Sequence, residues 1–214
     1  MLPGPTLIIA CPACKAEHLL PTLASGNTLG ARYWTDGYCE APMLPEQPPV
    51  TRCGRCRSFF WCADAEEHGM LDGWAPGEPP DGREYYDVRW LTVAQYDVAL
   101  EAGIARTVGR ERALRTLAWW KANAPLRSRA KAVWAPSLVG RIRGNLEQLQ
   151  KLLDAHEQRG WLWAAEIARE LGRFEEAGKR LRSCAARDSG IAVTAGLIEE
   201  LVAKGDARVR EVPA

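Results

Sequence analysis

Cys11-Pro12-Ala13-Cys14 and Cys53-Gly54-Arg55-Cys56 decide how the first third of the chain is built. Two residues between thiols let one tight turn present both sulfurs to one cation. Two such turns complete a tetrahedral set around Zn²⁺. Pro12 and Gly54 suit turns of this kind. Four thiolates on one Zn²⁺ carry a net negative charge, and Lys15, Arg52, Arg55 and Arg57 flank the two turns to balance it or to donate to sulfur. The set is already full, so neither His18 nor His68 is needed as a ligand, and the expected role of the metal is structural. Two dithiol pairs without metal, or redox-active pairs, are the competing readings. A redox pair wants a βαβ context, and none is visible. Cys39 and Cys62 remain. They read as small buried hydrophobes, with replacement of a knuckle cysteine as the alternative. Cys184 reads as helix-packing.

The segment holding these turns, about residues 8–62, resembles a zinc ribbon, the β-hairpin module held by two such knuckles. Two features depart from the simplest ribbon. Lys15 and Arg57 stand where Gly often follows the second cysteine. The 38 residues between Cys14 and Cys53 also exceed the usual spacing. The insert carries Thr35-Asp36-Gly37 between Ala31–Trp34 and Tyr38–Leu44, a hairpin signal because Gly supplies positive φ. Thr6–Ala10 and Ser58–Cys62 read as short strands. Ala63–Met70 reads as one or two helical turns.

Outward from the cysteines the chain changes character. Residues 1–90 carry a net charge of −5 and residues 91–214 a net of +6, which points to two modules with different surfaces. Gly73, Pro76, Gly77, Pro79, Pro80 and Gly82, set among acidic residues, mark a linker or a surface lid over 63–90. From residue 91 the apolar period is helical. Thr92 caps a helix to about Glu101, with Gly103 at its end. A second helix runs from about Arg110 to Asn123 and stops before Pro125. Residues 124–136 read as a basic loop. A third helix covers 138–156, with a possible break near Gly144. Three more follow, at about 161–171, 174–185 and 193–203. The expected division is a zinc-ribbon module at 1–62, an acidic linker at 63–90 and a helical domain at 91–214. The class is α+β, a small β-rich ribbon followed by an all-helical bundle.

Within the helical part, Trp161 to Ala177 resembles a tetratricopeptide-type hairpin. Trp161 takes the large early position. Ala165, Ala168 and Ala177 take the small positions where the helices touch, and Leu171-Gly172-Arg173-Phe174 matches the turn. Only one repeat is visible, so the resemblance implies a TPR-like hairpin capped by neighbouring helices, with a generic αα-hairpin as the alternative. It implies contact with protein rather than catalysis. The order of modules loosely resembles uncharacterised bacterial proteins that pair a zinc ribbon with TPR-like helices.

No catalytic motif appears, and three separated histidines make a Ser/His/Asp or Cys/His site a poor reading. Glu166, Glu170, Glu175 and Glu176 read as a solvated helix face. The region from Gly103 to Asn145 carries ten basic residues against one acid, Glu111, with Trp119, Trp120 and Trp134 interleaved. Arg110, Arg112, Arg115, Arg127, Arg129 and Lys131 are the candidate partner-binding residues. An acidic protein surface, or docking on the acidic linker, ranks above nucleic acid. Trp119 and Trp120 read as core rather than as stacking platforms.

The apolar run Leu7–Ala10 is too short and lacks the basic residues of an export signal, and no run is long enough to span a bilayer. The expectation is a cytoplasmic, non-enzymatic bacterial protein without membrane attachment or an evident small-molecule substrate. It would act as an adaptor, regulator or immunity-type inhibitor. The alternative is a nucleic-acid binder using the ribbon and the basic stretch 106–143.

Overall fold

The computed structural model describes residues 1–71, 83–128, 132–156, 160–183 and 189–213. In chain order these form strands β1 (Leu2–Ala10), β2 (Glu17–Ser25), β3 (Arg32–Trp34), β4 (Cys39–Glu40), β5 (Val50–Arg52), β6 (Phe59–Trp61), β7 (Glu66–Leu71) and β8 (Tyr86–Asp87). Helices α1 (Val93–Glu101), α2 (Val108–Ser128), α3 (Val139–His156), α4 (Gly160–Glu170), α5 (Phe174–Ser183) and α6 (Ser189–Ala203) follow, and strand β9 (Glu211–Val212) comes last. The chain is mixed α+β, with the sheets concentrated in its N-terminal part.

Two compact units emerge, and they do not follow the linear division expected from composition. The first comprises residues 1–31, 41–91 and 101–104; the second comprises 32–40, 92–100 and 105–214. The hairpin β3–β4 therefore belongs with the helices and not with the cysteine-bearing strands between which it lies in sequence. Its three-residue turn is the one expected, with Gly37 at φ +77° and Trp34 and Tyr38 joined by a 2.9 Å backbone bond. The reason for its placement is chemical. Asp36 is buried and bonds to side chains of α2, and Trp34 packs with Leu126 and Val209. Strand β9, not foreseen in the sequence, pairs antiparallel with β3.

In the first unit, β7-β1-β2-β8 form a four-stranded sheet and β5–β6 a separate hairpin. Ile8, Ile9 and Ala10 of β1 are buried. The Ala63–Met70 stretch, read as helical turns, is instead a 3₁₀ turn at Cys62–Asp64 followed by β7, which pairs antiparallel with β1. Edge pairing outweighed a weak local helical preference.

In the second unit, α1 begins with a reciprocal capping box. The Gln95 amide N–H donates to Thr92 Oγ1 at 3.2 Å, and Gln95 Oε1 accepts the Thr92 N–H at 2.9 Å. Helix α2 does not stop before Pro125 but carries it inside and runs on to Ser128. A proline there costs about 3 kcal/mol. Burial of Leu126 and the buried ion pair of Arg127 with Asp36 lie beyond it and hold the last turn in place. Helix α3 is unbroken at Gly144. Helix α4 ends in a Schellman motif. The Arg173 N–H reaches Ala168 O at 2.8 Å and the Gly172 N–H reaches Arg169 O at 2.9 Å, with Gly172 at φ +78°. Ala165, Ala168 and Ala177 are fully buried, as close approach of α4 and α5 requires. Trp119 packs with Ile142, Leu146, Leu149 and Ile167 in the main helical core.

Candidate metal centre

The four knuckle cysteines sit on two turns of the same construction. In the first, which joins β1 to β2, the Cys11 N–H donates to Ala16 O at 2.9 Å and the Lys15 N–H to Cys11 O at 2.9 Å. In the second, which joins β5 to β6, the Cys53 N–H donates to Ser58 O at 2.8 Å and the Arg57 N–H to Cys53 O at 3.1 Å. Lys15 and Arg57 occupy equivalent left-handed positions, φ +59° and +67°. These are the two places where the sequence departs from the usual Gly, and the turn imposes the conformation without it. Such backbone costs on the order of 1 kcal/mol or more and persists where the surroundings over-determine it.

The turns bring all four Sγ atoms within 4.8 Å of one another. Cys11 Sγ lies 3.8 Å from Cys56 Sγ, and Cys14 Sγ 3.6 Å from Cys53 Sγ. Zn–S bonds of about 2.3 Å in a tetrahedron require sulfurs about 3.8 Å apart, so the donor set fits a four-coordinate ion. Without a cation, two of the thiols are pushed in opposite directions. Burial pushes Cys53 up to about 12, whereas the Ser58 hydroxyl beside the exposed Cys56 lowers it to about 6. A bound divalent ion lowers the cost of gathering four thiolates by neutralising half of their charge.

The surroundings are organised, and two of the flanking cations are turned to other partners. Lys15 Nζ ion-pairs with Glu66 at 3.2 Å, and Arg52 Nε donates to Arg57 O at 3.0 Å. Cys53 Sγ instead accepts the Cys56 N–H at 3.4 Å, and the Ser58 hydroxyl lies 3.0 Å from Cys56 Sγ and 3.6 Å from Cys11 Sγ.

His18 is the residue that the sequence reading undervalued. It is fully buried, with Phe60 edge-on and Tyr86 beside it. Nδ1 lies 2.9 Å from Ala16 O and Nε2 accepts the Gly54 N–H at 3.3 Å. That pattern defines the Nδ1–H tautomer of a neutral ring. Burial lowers its pKa, which agrees with the neutral form. One imidazole thus ties the first knuckle to the second. Gly54 is needed for close approach: a Cβ there would lie 2.0 Å from Tyr86 Cδ1. The signal available in the sequence was only a histidine two residues past the knuckle turn, followed by Leu19 and Leu20.

Cys62 donates its thiol to Pro48 O at 3.2 Å, and burial pushes it up to about 11. It packs among Ile9, Phe60 and Val88, outside the four-sulfur cluster, as a buried hydrophobe. Cys39 belongs to the other unit, on β4. Cys184 lies outside the described residues.

The candidate partner-binding residues separate. Arg127 is turned inward: its side chain is 7% exposed, it ion-pairs with Asp36, donates to Trp120 O at 2.9 Å and lies 4.1 Å from the Tyr38 ring centroid. It offers a partner nothing. Arg115 is held by Glu111 at 2.8 Å and reaches Asn145 Oδ1 at 3.4 Å. Arg110 and Arg112 are half-buried on α2 and interact within the chain. Arg129 and Lys131 lie outside the described residues. Trp119 is core, and Trp120 donates Nε1–H to Asp36 O at 3.0 Å.

The expectation that Glu166 and Glu170 form a solvated face is overturned. Both are buried, as is Arg169 between them. Spaced at i, i+3 and i+4, they line one side of α4, and that side faces inward because each polar group meets a hydrogen-bond partner there. Arg169 forks onto Glu166 at 2.7 and 2.5 Å.

No known protein family, curated protein or solved structure matches the chain. Among the described residues, no helix is long and apolar enough to cross a membrane.

Proposed function

We propose that the chain is a zinc-stabilised, non-enzymatic protein-binding adaptor or inhibitor. In this reading the first unit is a zinc ribbon elaborated by extra strands, and α4–α5 is a TPR-like hairpin within a helical scaffold. The observation that carries it is the closed tetrad of Cys11, Cys14, Cys53 and Cys56 on two matching turns. Four protein sulfurs leave no open coordination position for substrate or water, which is the mark of structural rather than catalytic zinc. Both nitrogens of the neighbouring His18 are engaged, so it is not poised as a general base. Fully buried alanines on α4 and α5 and the Schellman turn between them support the TPR-like reading.

The engagement of Arg115, Arg127 and Arg141 with Glu111, Asp36 and Asp97 tells against an open phosphate-binding stripe and so against the nucleic-acid alternative. The test has two arms. Elemental analysis should find about one zinc per chain. Purified, nuclease-treated protein at low salt should show negligible affinity for a generic oligonucleotide. A steep salt slope, about −0.7 to −0.9 per neutralised phosphate, would instead favour the nucleic-acid reading. A stoichiometric protein recovered by pull-down from the native host at physiological salt supports the adaptor reading.

A further inference from the structure

The second unit buries more carboxylates than guanidiniums at one place. Asp36 comes from the β3–β4 turn, Glu166 and Glu170 from α4, Arg127 from α2 and Arg169 from α4. Their hydrogen bonds pair them selectively. Arg127 is spent on Asp36 and on Trp120 O. Arg169 is spent on Glu166, on Asp206 O and, at 3.5 Å, on Thr35 Oγ1. Asp36 also accepts the Tyr38 N–H at 3.1 Å.

Glu170 is left over. Among the described residues its hydrogen bonds come from neutral donors. Trp119 Nε1–H reaches Oε2 at 2.8 Å, and the Asn123 amide reaches Oε1 and Oε2 at 3.0 and 3.1 Å. The same Asn123 nitrogen donates to Asp36 Oδ2 at 3.0 Å, and Asn123 Oδ1 accepts the Trp134 indole at 3.2 Å, which settles the amide's orientation. One amide group therefore holds the carboxyls of Asp36 and Glu170 together. Two like charges sharing a buried donor cannot both be ionised cheaply, and the one with no guanidinium hydrogen-bonded to it is the easier to protonate.

Glu166, Asp36 and Arg169 act on Glu170 directly, and the other charged groups of the surrounding elements are paired among themselves. The hairpin supplies Asp36, α2 supplies Arg127, and α4 supplies Glu166 and Arg169. On the C-terminal segment the Asp206 carboxylate is matched by Arg210 at 2.5 Å, with Arg208 between them in sequence. From α3 the packing is apolar through Ile142, Leu146 and Leu149, while Arg143 bonds to Leu171 O.

We infer that Glu170 is a buried proton-binding group, held neutral inside the helical unit, so that seating of the β3–β4 turn against α2 and α4 is linked to pH: tight while the proton is held, loosened when it leaves. Burial first, then the charges of Glu166 and Asp36, push Glu170 well above the ordinary carboxyl range, against the opposing pull of the Arg169 charge and the Trp119 N–H. Asp36 is also raised by burial, with Arg127 acting against the rise.

The sign follows from linkage. A folded carboxyl that binds its proton more tightly than the unfolded chain stabilises fully below the unfolded value, near 4.5. That stability is lost as pH rises towards the folded value. Over this window the unfolding constant rises about tenfold per pH unit. The inference does not depend on the metal reading, since every group involved lies in the second unit.

The test uses the full chain with selectively ¹³Cδ-labelled glutamate. At about pH 7, where ordinary glutamates are ionised, one carboxyl resonance should keep its protonated position. It should be missing in Glu170→Gln, which copies the neutral form. Glu170→Gln should also flatten the rise in the unfolding constant between about pH 5 and pH 8 relative to wild type. A protonated signal that survives in Glu170→Gln, or an unchanged pH slope in that variant, overturns the proposal. Should the variant fail to fold, the wild-type spectrum decides: one protonated glutamate supports the proposal, and a fully ionised set overturns it.

Discussion

The imidazole of His18 accepts the backbone N–H of Gly54 at 3.3 Å while its other nitrogen bonds to Ala16 O, so one side chain spans the two cysteine turns. This crosslink joins two cysteine pairs that are far apart in sequence. His18→Phe keeps a buried ring but leaves the Gly54 N–H without its acceptor. A cost of about 1–3 kcal/mol in thermal unfolding is expected. Zinc should still bind, with affinity lowered about 10–100-fold in chelator competition. Wild-type affinity and melting in the variant would mean that the bridge does not organise the site.

Removing a ligand should act more severely. Cys53→Ser should lose the metal and unfold the first unit, because structural zinc contributes on the order of 10–16 kcal/mol of apparent binding energy that becomes folding energy. Elemental analysis together with hydrogen exchange of β1 and β2 checks this. Metal-free protein with protected strands would contradict it.

Gly54 answers a different question, that of space. Gly54→Ala drives a Cβ to 2.0 Å from the Tyr86 ring. Overpacking of this kind costs about 1–3 kcal/mol. Since the clash is with one side chain, the double variant Gly54→Ala/Tyr86→Ala should lose less stability than the two single effects added together. Simple additivity in denaturant melts would place the origin of the defect elsewhere.

Arg127 was a natural choice for charge reversal in a binding assay, yet its burial against Asp36 makes it a stability residue. Arg127→Met leaves an uncompensated buried carboxylate and should cost about 3–5 kcal/mol. The loss should be read as a lowered denaturation midpoint of the helical unit, whatever partner is present. Reversal at Arg127 would unfold that unit and could not report on a partner.

Ala177 has no exposed surface where α5 meets α4. Ala177→Leu adds three carbons to that contact and should cost about 1–3 kcal/mol. A variant that melts like the wild type would mean that the helices separate without penalty, contrary to the close approach argued for α4 and α5.

What the sequence determined by itself was local. The two-residue spacing within each cysteine pair dictates a tight turn, so the four-cysteine cluster was legible. The Thr92 cap, the Asp36-Gly37 turn and Gly172 were legible too, because a cap, a hairpin turn and a helix stop each depend on a few adjacent residues. The tertiary structure alone decided matters of long-range closure. Nothing within residues 32–40 says that the hairpin belongs to the helical unit. Asp36 joins it through Asn123 and Arg127, some 90 residues downstream. Nothing in the period of α4 separates a solvated Glu166–Arg169–Glu170 face from a buried one, since both have the same helical spacing. The choice rests on whether guanidinium, indole and amide donors from other elements replace water, and here Arg169, Trp119 and Asn123 do so.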